Sequence, residues 1–336
     1  MKKIVLQLNG AGYPECIPCL LRFLAQGEYV SGEDLAERLG ITRAAVWKQM
    51  KTLRGLGYEI EAHPRRGYLL LSRPERLYPW EVQEGLATRF IGKNIEYYDE
   101  LPSTNRRAKE LLAAEPEEGT LVLAEKQTGG RGRLGRSWYS PPGSGIWMTL
   151  ILSPGMPLLE MHKLTLAAAT ALSRAIYAEL AFRPLVKWPN DLYLDGRKIS
   201  GILTELAGEM GRVDYLILGI GINVNQIPGD FPEKLREKAG SLRIKLGAKV
   251  NRPALLRRYL AIFEEEYNRV REEGFGEVLA YCRQYSATLG RRVEVITGKQ
   301  RYRGEAVAIR DDGSLTLRRE GGGTVEIHAG DVFPLR

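Results

Sequence analysis

Apolar residues recur at helical spacing near the N-terminus, at both helical and strand spacing through the middle, and in short alternating pieces at the C-terminus. Residues 1–20 mix Gly10, Gly12, Pro14 and Pro18 with short apolar runs, have no clean period, and are assigned no function. A short helix is expected over 20–25. Ser31 with Asp34 three residues on has the form of a capping box, Leu35 and Leu39 share a face, and Gly40 ends the helix. Thr42 caps a second helix whose inward positions are Val46, Met50 and Leu53. Two short helices across Leu39-Gly40-Ile41-Thr42 predict a helix-turn-helix, and strands over 58–62 and 67–71 predict a wing turning at Pro64-Arg65-Arg66-Gly67.

Ser72-Arg73-Pro74 and Tyr78-Pro79 interrupt the pattern and place a boundary near residue 75. Beyond it, helices are expected over 80–88, 106–115, 158–180, 251–273 and 278–289, with strands over 94–98, 120–125, 145–152, 185–192, 198–205 and 215–225. Asp195-Gly196 and the stretch Gly208 to Gly211 read as hairpin turns, so an antiparallel sheet with helices on one side is expected. Short strands over 293–296, 302–309, 315–317 and 324–327, separated by Gly298, Asp311-Asp312-Gly313 and Gly321-Gly322-Gly323, predict a small SH3-like barrel. The fold class is therefore α+β, in three parts: 1–74, 75–289 and 290–336.

The charge sharpens this division. Lys and Arg number 49 against 41 acidic residues in 336, a net charge of +8 that favours an anionic partner. Seven cations face two carboxylates between Ile41 and Arg73. The outward face of the second helix carries Arg43, Ala44, Trp47, Lys48 and Lys51, and the wing adds Arg65 and Arg66, which together suit DNA. The lack of a long apolar run or signal peptide points to a cytoplasmic protein without a membrane partner, and three cysteines are too few for a disulfide framework. Cys16-Ile17-Pro18-Cys19 has no second ligand pair, and His63, His162 and His328 are scattered, so no metal ligands are named.

Three stretches carry candidate chemistry. Gly129-Gly130-Arg131-Gly132-Arg133-Leu134-Gly135-Arg136-Ser137-Trp138 combines glycines, whose N–H groups can face a ligand, with three forked cations, and is expected to be mobile until an anion binds. Lys187 lies in an apolar strand, where it is costly unless an anion meets it or it snorkels or pairs with Asp191. Gly219 and Gly221 are costly in a strand unless something approaches the backbone closely or a bulge forms there, and with the loop they suggest a nucleotide-sized ligand across the sheet. Ser103 and Thr104 sit where a helix begins and read first as caps.

The chain resembles the bifunctional biotin-protein ligases that are also biotin operon repressors. The likeness rests on the loop from Gly130 to Arg136, on Lys187-Trp188-Pro189-Asn190-Asp191 and on Gly219-Ile220-Gly221-Ile222-Asn223-Val224, in that order. It covers nearly everything from Leu20 and implies a class II synthetase-like ligase core. Leu134 departs from the arginine that some members carry, so no role passes to it. The resemblance implies that biotin and ATP, with Mg²⁺, give biotinyl-5′-AMP, and that biotin passes to a lysine of a biotin carboxyl carrier protein. It implies that Ser103, Thr104, Gln127, Arg131, Gly132, Arg133 and Lys187 surround biotin, with Lys187, Arg131 and Arg133 as catalytic residues. Arg136, Asn223 and Arg336 then approach the nucleotide. Operator DNA and a homodimer formed when the adenylate is bound complete the expectation; a lipoate-type ligase or a DNA-binding sensor without ligase activity are the alternatives.

Overall fold

The structure, a computed structural model, describes residues 5–7, 16–207 and 214–335. Arg336 and the expected turn at 208–211 lie outside the described residues. The chain falls into two compact units, a smaller one over Leu6–Arg76 and a larger one from Leu77 that contains both the middle and the C-terminal strands. A three-residue strand, β1 (Val5–Gln7), comes first.

The smaller unit contains α1 (Cys16–Leu24), α2 (Gly32–Leu39), α3 (Arg43–Gly55), β2 (Glu59–His63) and β3 (Gly67–Ser72). The first helix thus begins four residues earlier than its periodicity suggests. Both expected caps form: the Ser31 hydroxyl accepts from the Asp34 N–H at 2.9 Å and the Thr42 hydroxyl from the Ala45 N–H at 3.2 Å. Leu20, Leu24, Leu35, Met50 and Leu53 are fully buried, so the inward stripes of all three helices meet in one core. The wing is antiparallel, pairing Ile60 with Leu70, and a bridge from Val30 to Tyr68 ties it to the segment ahead of α2.

In the larger unit come α4 (Pro79–Gln83), β4 (Ile95–Leu101), α5 (Thr104–Leu111), β5 (Leu121–Gln127), β6 (Gly145–Leu152), α6 (Leu158–Met161) and α7 (Leu164–Leu180). Then follow β7 (Leu185–Lys187), β8 (Asp191–Leu194), β9 (Arg197–Ala207), β10 (Tyr215–Asn223), α8 (Leu242–Leu246), α9 (Arg252–Glu273) and α10 (Gly276–Gln284). Seven strands of the eight-stranded sheet are ordered β4-β5-β6-β10-β9-β8-β7. The sheet is mixed, because β4 and β5 are parallel, as a connection through α5 requires; the remaining neighbours are antiparallel. Every residue of β6 is buried, so both faces of the sheet are covered, not one. Ala108 of α5 packs against Tyr98, Val122, Ile151 and Ile217 on one of them.

Several expected elements are shorter or divided. The helix expected over 80–88 stops at Gln83, the one over 158–180 breaks at His162–Lys163, and the one over 278–289 ends at Gln284. The break frees Lys163 to meet Glu160 and the Asp311 carbonyl. The strand expected over 185–192 is divided at a cis Trp188–Pro189 peptide into β7 and β8. α9 matches its expected span, with the Asn251 side chain capping Ala254 N at 3.0 Å. Beneath the sheet, fully buried Arg252 donates to Glu125 at 3.0 Å and to the Gly145 carbonyl at 2.8 Å, while Glu125 also accepts from Leu77 N.

The C-terminal strands are β11 (Arg292–Thr297), β12 (Gln300–Ile309), β13 (Leu315–Arg319), β14 (Thr324–Ile327) and β15 (Asp331–Pro334), in the order β14-β13-β12-β11-β15. The fifth strand goes unforeseen: it is four residues long and ends in proline, which carries no strand signal. Trp188 donates its indole N–H to the Gly313 carbonyl at 2.9 Å, joining these strands to the main sheet.

Candidate functional site

One cavity of about 690 Å³ opens at the end of the main sheet of the larger unit. The start of α5 lines it with Ser103 and Thr104, the end of β5 with Gln127, and the glycine-arginine loop with Arg131, Gly132, Arg133, Arg136 and Trp138. Lys187, Asp191, Tyr193, Lys198 and Asn223 complete the sheet side, and Asp331 to Pro334 of β15 form part of the rim. All the site residues expected in the middle of the chain therefore meet; Arg336 lies outside the described residues.

Ser103 and Thr104 are buried, and neither acts as a simple cap. No capping hydrogen bond from Ser103 forms. The Thr104 N–H and hydroxyl instead donate to Gln127 Oε1 at 2.9 and 3.2 Å, and Gln127 Nε2 donates to Ser140 at 2.9 Å. The helix start is thereby held by β5 rather than by its own side chain, leaving the Ser103 hydroxyl for the cavity.

The loop is folded. Gly132 N donates to the Arg136 carbonyl at 2.7 Å, Trp138 N to Gly130 at 2.9 Å, and a single turn of 3₁₀ helix spans Arg133–Gly135. Two of its three cations have partners within the protein. Arg133 donates to Asn190 Oδ1 at 3.2 Å and to the Gly330 carbonyl at 3.3 Å, Arg136 is ion-paired with Asp331, and Arg131 is exposed. Leu134, at a positive φ of 55°, is 76% exposed and faces away from this chemistry.

The two strand glycines do admit close approaches, but by the protein itself. A Cβ on Gly219 would lie 2.0 Å from Asn105 Oδ1, and one on Gly221 would lie 2.3 Å from the Trp138 indole nitrogen. Both glycines line the cavity, and neither marks a bulge, since both ladders beside β10 run without a register shift. Asn105, Trp138, Asn190 and Lys198 also line the cavity, although composition and spacing do not single them out; all but Lys198 stand inside or next to the quoted stretches.

Lys187 pairs in register with Asp191 and donates to the Tyr193 hydroxyl at 3.1 Å. Burial, the largest influence, and the nearby Lys198 and Arg136 charges lower its pKa, against Asp191 and Asp331, which raise it. Asp191 itself is bridged by Lys198 at 2.6 Å. An ammonium this desolvated gains strongly from an incoming anion.

In the smaller unit, Arg43, Ala44, Trp47, Lys48 and Lys51 are all exposed on α3, and Arg65 and Arg66 are exposed on the wing turn. Trp47 is 58% exposed, with the Lys51 ammonium 5.6 Å from its ring centroid. Arg54 belongs elsewhere: it donates twice to the Ile60 carbonyl, joining α3 to the wing. The Arg66 guanidinium, on the exposed wing turn, lies 3.7 Å over the Tyr29 ring, a cation–π contact.

Comparison with known proteins follows this division. Residues 20–69 match an HTH domain, 97–223 the biotin/lipoate A/B protein ligase family, and 288–333 the biotin protein ligase C-terminal domain. The bifunctional ligase/repressor BirA of Bacillus subtilis is 40% identical over 308 residues, covering 92% of this chain and 94% of its own. The chain belongs to the bifunctional biotin ligase/repressor family. Escherichia coli BirA is 29% identical over 90% of this chain and 92% of its own. A biotin protein ligase from Aquifex aeolicus, solved in complex with biotin and ATP, superimposes with a TM-score of 0.65 at 32% identity, covering 73% of this chain and 99% of that one. This ligase/repressor is thus a biotin–[acetyl-CoA-carboxylase] ligase with a transcriptional repressor's DNA-binding unit.

Proposed function

We propose that Lys187 and Arg131 bring the carboxylate of biotin and the α-phosphate of ATP together in the cavity, and that Arg133 joins them as phosphate charge develops. The observation that carries this reading is the convergence of the α5 N-terminus, the arginine loop and a half-buried Lys187 on one cavity. A carboxylate is already a nucleophile. Its attack on the α-phosphate, with loss of pyrophosphate, therefore needs charge neutralisation and alignment more than a general base. Ser103, Thr104, Gln127 and Gly132 form the biotin wall, while Arg136, Asn223 and Arg336 serve the nucleotide. Mg²⁺ enters as the counter-ion of ATP, as part of the substrate. The resulting mixed anhydride is attacked by the lysine of a biotin carboxyl carrier protein, which releases AMP.

Arg43, Ala44, Trp47, Lys48 and Lys51 face the major groove, and Arg65 and Arg66 reach the adjacent phosphates. The adenylate promotes a homodimer whose two DNA-binding units span two operator half-sites; the exposed Leu134 at the loop tip supports a role for this loop in pairing. The working division is 1–74 for DNA, 75–289 for adenylation and 290–336 as the terminal barrel.

The test combines purified protein with α-labelled ATP, Mg²⁺ and, separately, biotin, lipoate or octanoate, followed by a carrier domain. Biotinyl-adenylate and labelled carrier are expected with biotin alone; adenylate from another acid would assign a lipoate-type ligase, and none from any acid a sensor. Operator affinity and sedimentation are expected to change when biotin and ATP are added together. An unchanged operator affinity would reject the dimer linkage.

A further inference from the structure

We propose that Glu205 of β9 is a positioning residue for the acid substrate: it holds Asn105 in the notch that Gly219 leaves in the sheet, and so fixes the N-terminus of α5 against the cavity. The inference rests on the reading that this N-terminus contacts biotin. Asn105 stands in the first turn of α5, directly after Thr104, and is buried. Its amide is held from both sides. The Thr149 hydroxyl donates to Oδ1 at 2.6 Å, and Nδ2 donates to Glu205 Oε2 at 2.8 Å. A hydroxyl that also lies 2.8 Å from the Thr104 hydroxyl and a carboxylate that can only accept fix which way the amide points.

The other Glu205 oxygen accepts from Lys109 at 2.6 Å. Asn105 and Lys109 are four residues apart on α5, one above the other, so a single carboxylate grips one face of the helix at two points. Arg131 also acts on Glu205: burial opposes its charge, yet the hydrogen bonds from Lys109 and Asn105 and the Arg131 charge hold its carboxyl below the usual range. Glu205 thus faces the helix start, while Asn105 itself lines the cavity. The Lys109 contact is largely exposed and adds little by itself. The charge-assisted bond to a buried amide matters more, because an amide left unpaired there loses its seat.

Glu205→Gln keeps the shape but has one acceptor oxygen for two donors, and with that oxygen drawn to the Lys109 ammonium it presents its NH₂ to the NH₂ of Asn105. The expected result is a KM for biotin raised about tenfold, the scale of one lost hydrogen bond to a charged group. The KM for ATP and the rate of transfer from added biotinyl-5′-AMP are expected to stay within about twofold. The exchange Asn105→Asp with Glu205→Gln restores a donor–acceptor pair and is expected to return the biotin KM to within about threefold of the starting protein. Thr104→Val serves as the reference for the underlying reading. If Thr104→Val raises the biotin KM and Glu205→Gln does not, the clamp is rejected alone. If Thr104→Val leaves it unchanged, the biotin wall is misplaced and the proposal falls with it. Equal loss in kcat for every substrate, without rescue by the exchange, would make Glu205 merely structural and overturn the proposal.

Discussion

The helices α3 and α5 each begin after a hydroxyl residue, yet Thr42 bonds the N–H of Ala45, whereas Ser103 makes no capping bond and its helix start is held from outside by Gln127. The cations that accompany them differ in the same sense. Those of α3 and the wing turn are exposed, while in the ligase loop Arg133 and Arg136 are already engaged by Asn190, Gly330 and Asp331. An extended polyanion can be met by charges on a self-sufficient helix, since each contact mainly displaces a counter-ion. A small acid and a triphosphate must be aligned within a fraction of an ångström, which calls for groups held by a surrounding frame.

Lys187→Ala tests the ligase side most severely. It is expected to lower the rate of adenylate formation about 10²–10³-fold, the scale for removing one preorganised donor, with operator binding in the absence of ligands unchanged. A rate within twofold of the starting protein would remove Lys187 from the reaction. The pH dependence sharpens the same point. Because burial lowers the Lys187 pKa and the proposed reaction uses the ammonium, kcat/KM for adenylation should be level below that pKa and fall about tenfold per pH unit above it. This alkaline limb should begin at lower pH than for an ordinary lysine. Bound anions favour the ammonium, so the limb in kcat should move upward; coincident limbs would show that the anions do not meet Lys187.

On the DNA side the effects are smaller and of another kind. Lys48→Ala and Arg65→Ala should each reduce the slope of log K against log salt by about one while leaving adenylation untouched. An unaltered slope would place that cation away from the phosphates. The smallest contrast compares the helix starts directly. Thr42→Ala is expected to destabilise its unit by about 1 kcal/mol, whereas Ser103→Ala, with no capping bond to lose, should change stability less and raise the biotin KM instead. Equal losses of stability in denaturant titrations would erase the distinction.

The difference between the two regions also explains what could be read along the chain. Ser31, Asp34, Gly40 and Thr42 act on neighbours within a few residues, so the helix-turn-helix is written locally and folds as expected. The cost of Gly219 and Gly221 was equally visible, but Asn105 and Trp138 come from distant elements, and no spacing rule identifies them as the groups that fill the space. Glu125 and Arg252 stand 127 positions apart with no local signal that links them; only the assembled sheet buries them together. Helix 158–180 was overextended for a related reason, since Lys163 finds partners outside the apolar stripe that suggested continuity.

The attachment of Arg133 to the Gly330 carbonyl joins residues 197 positions apart in the chain, and Arg136 to Asp331 joins positions almost as distant. During synthesis on the ribosome, the loop emerges long before the strand that anchors it. A nascent chain therefore carries the arginines without these partners until β15 has left the exit tunnel.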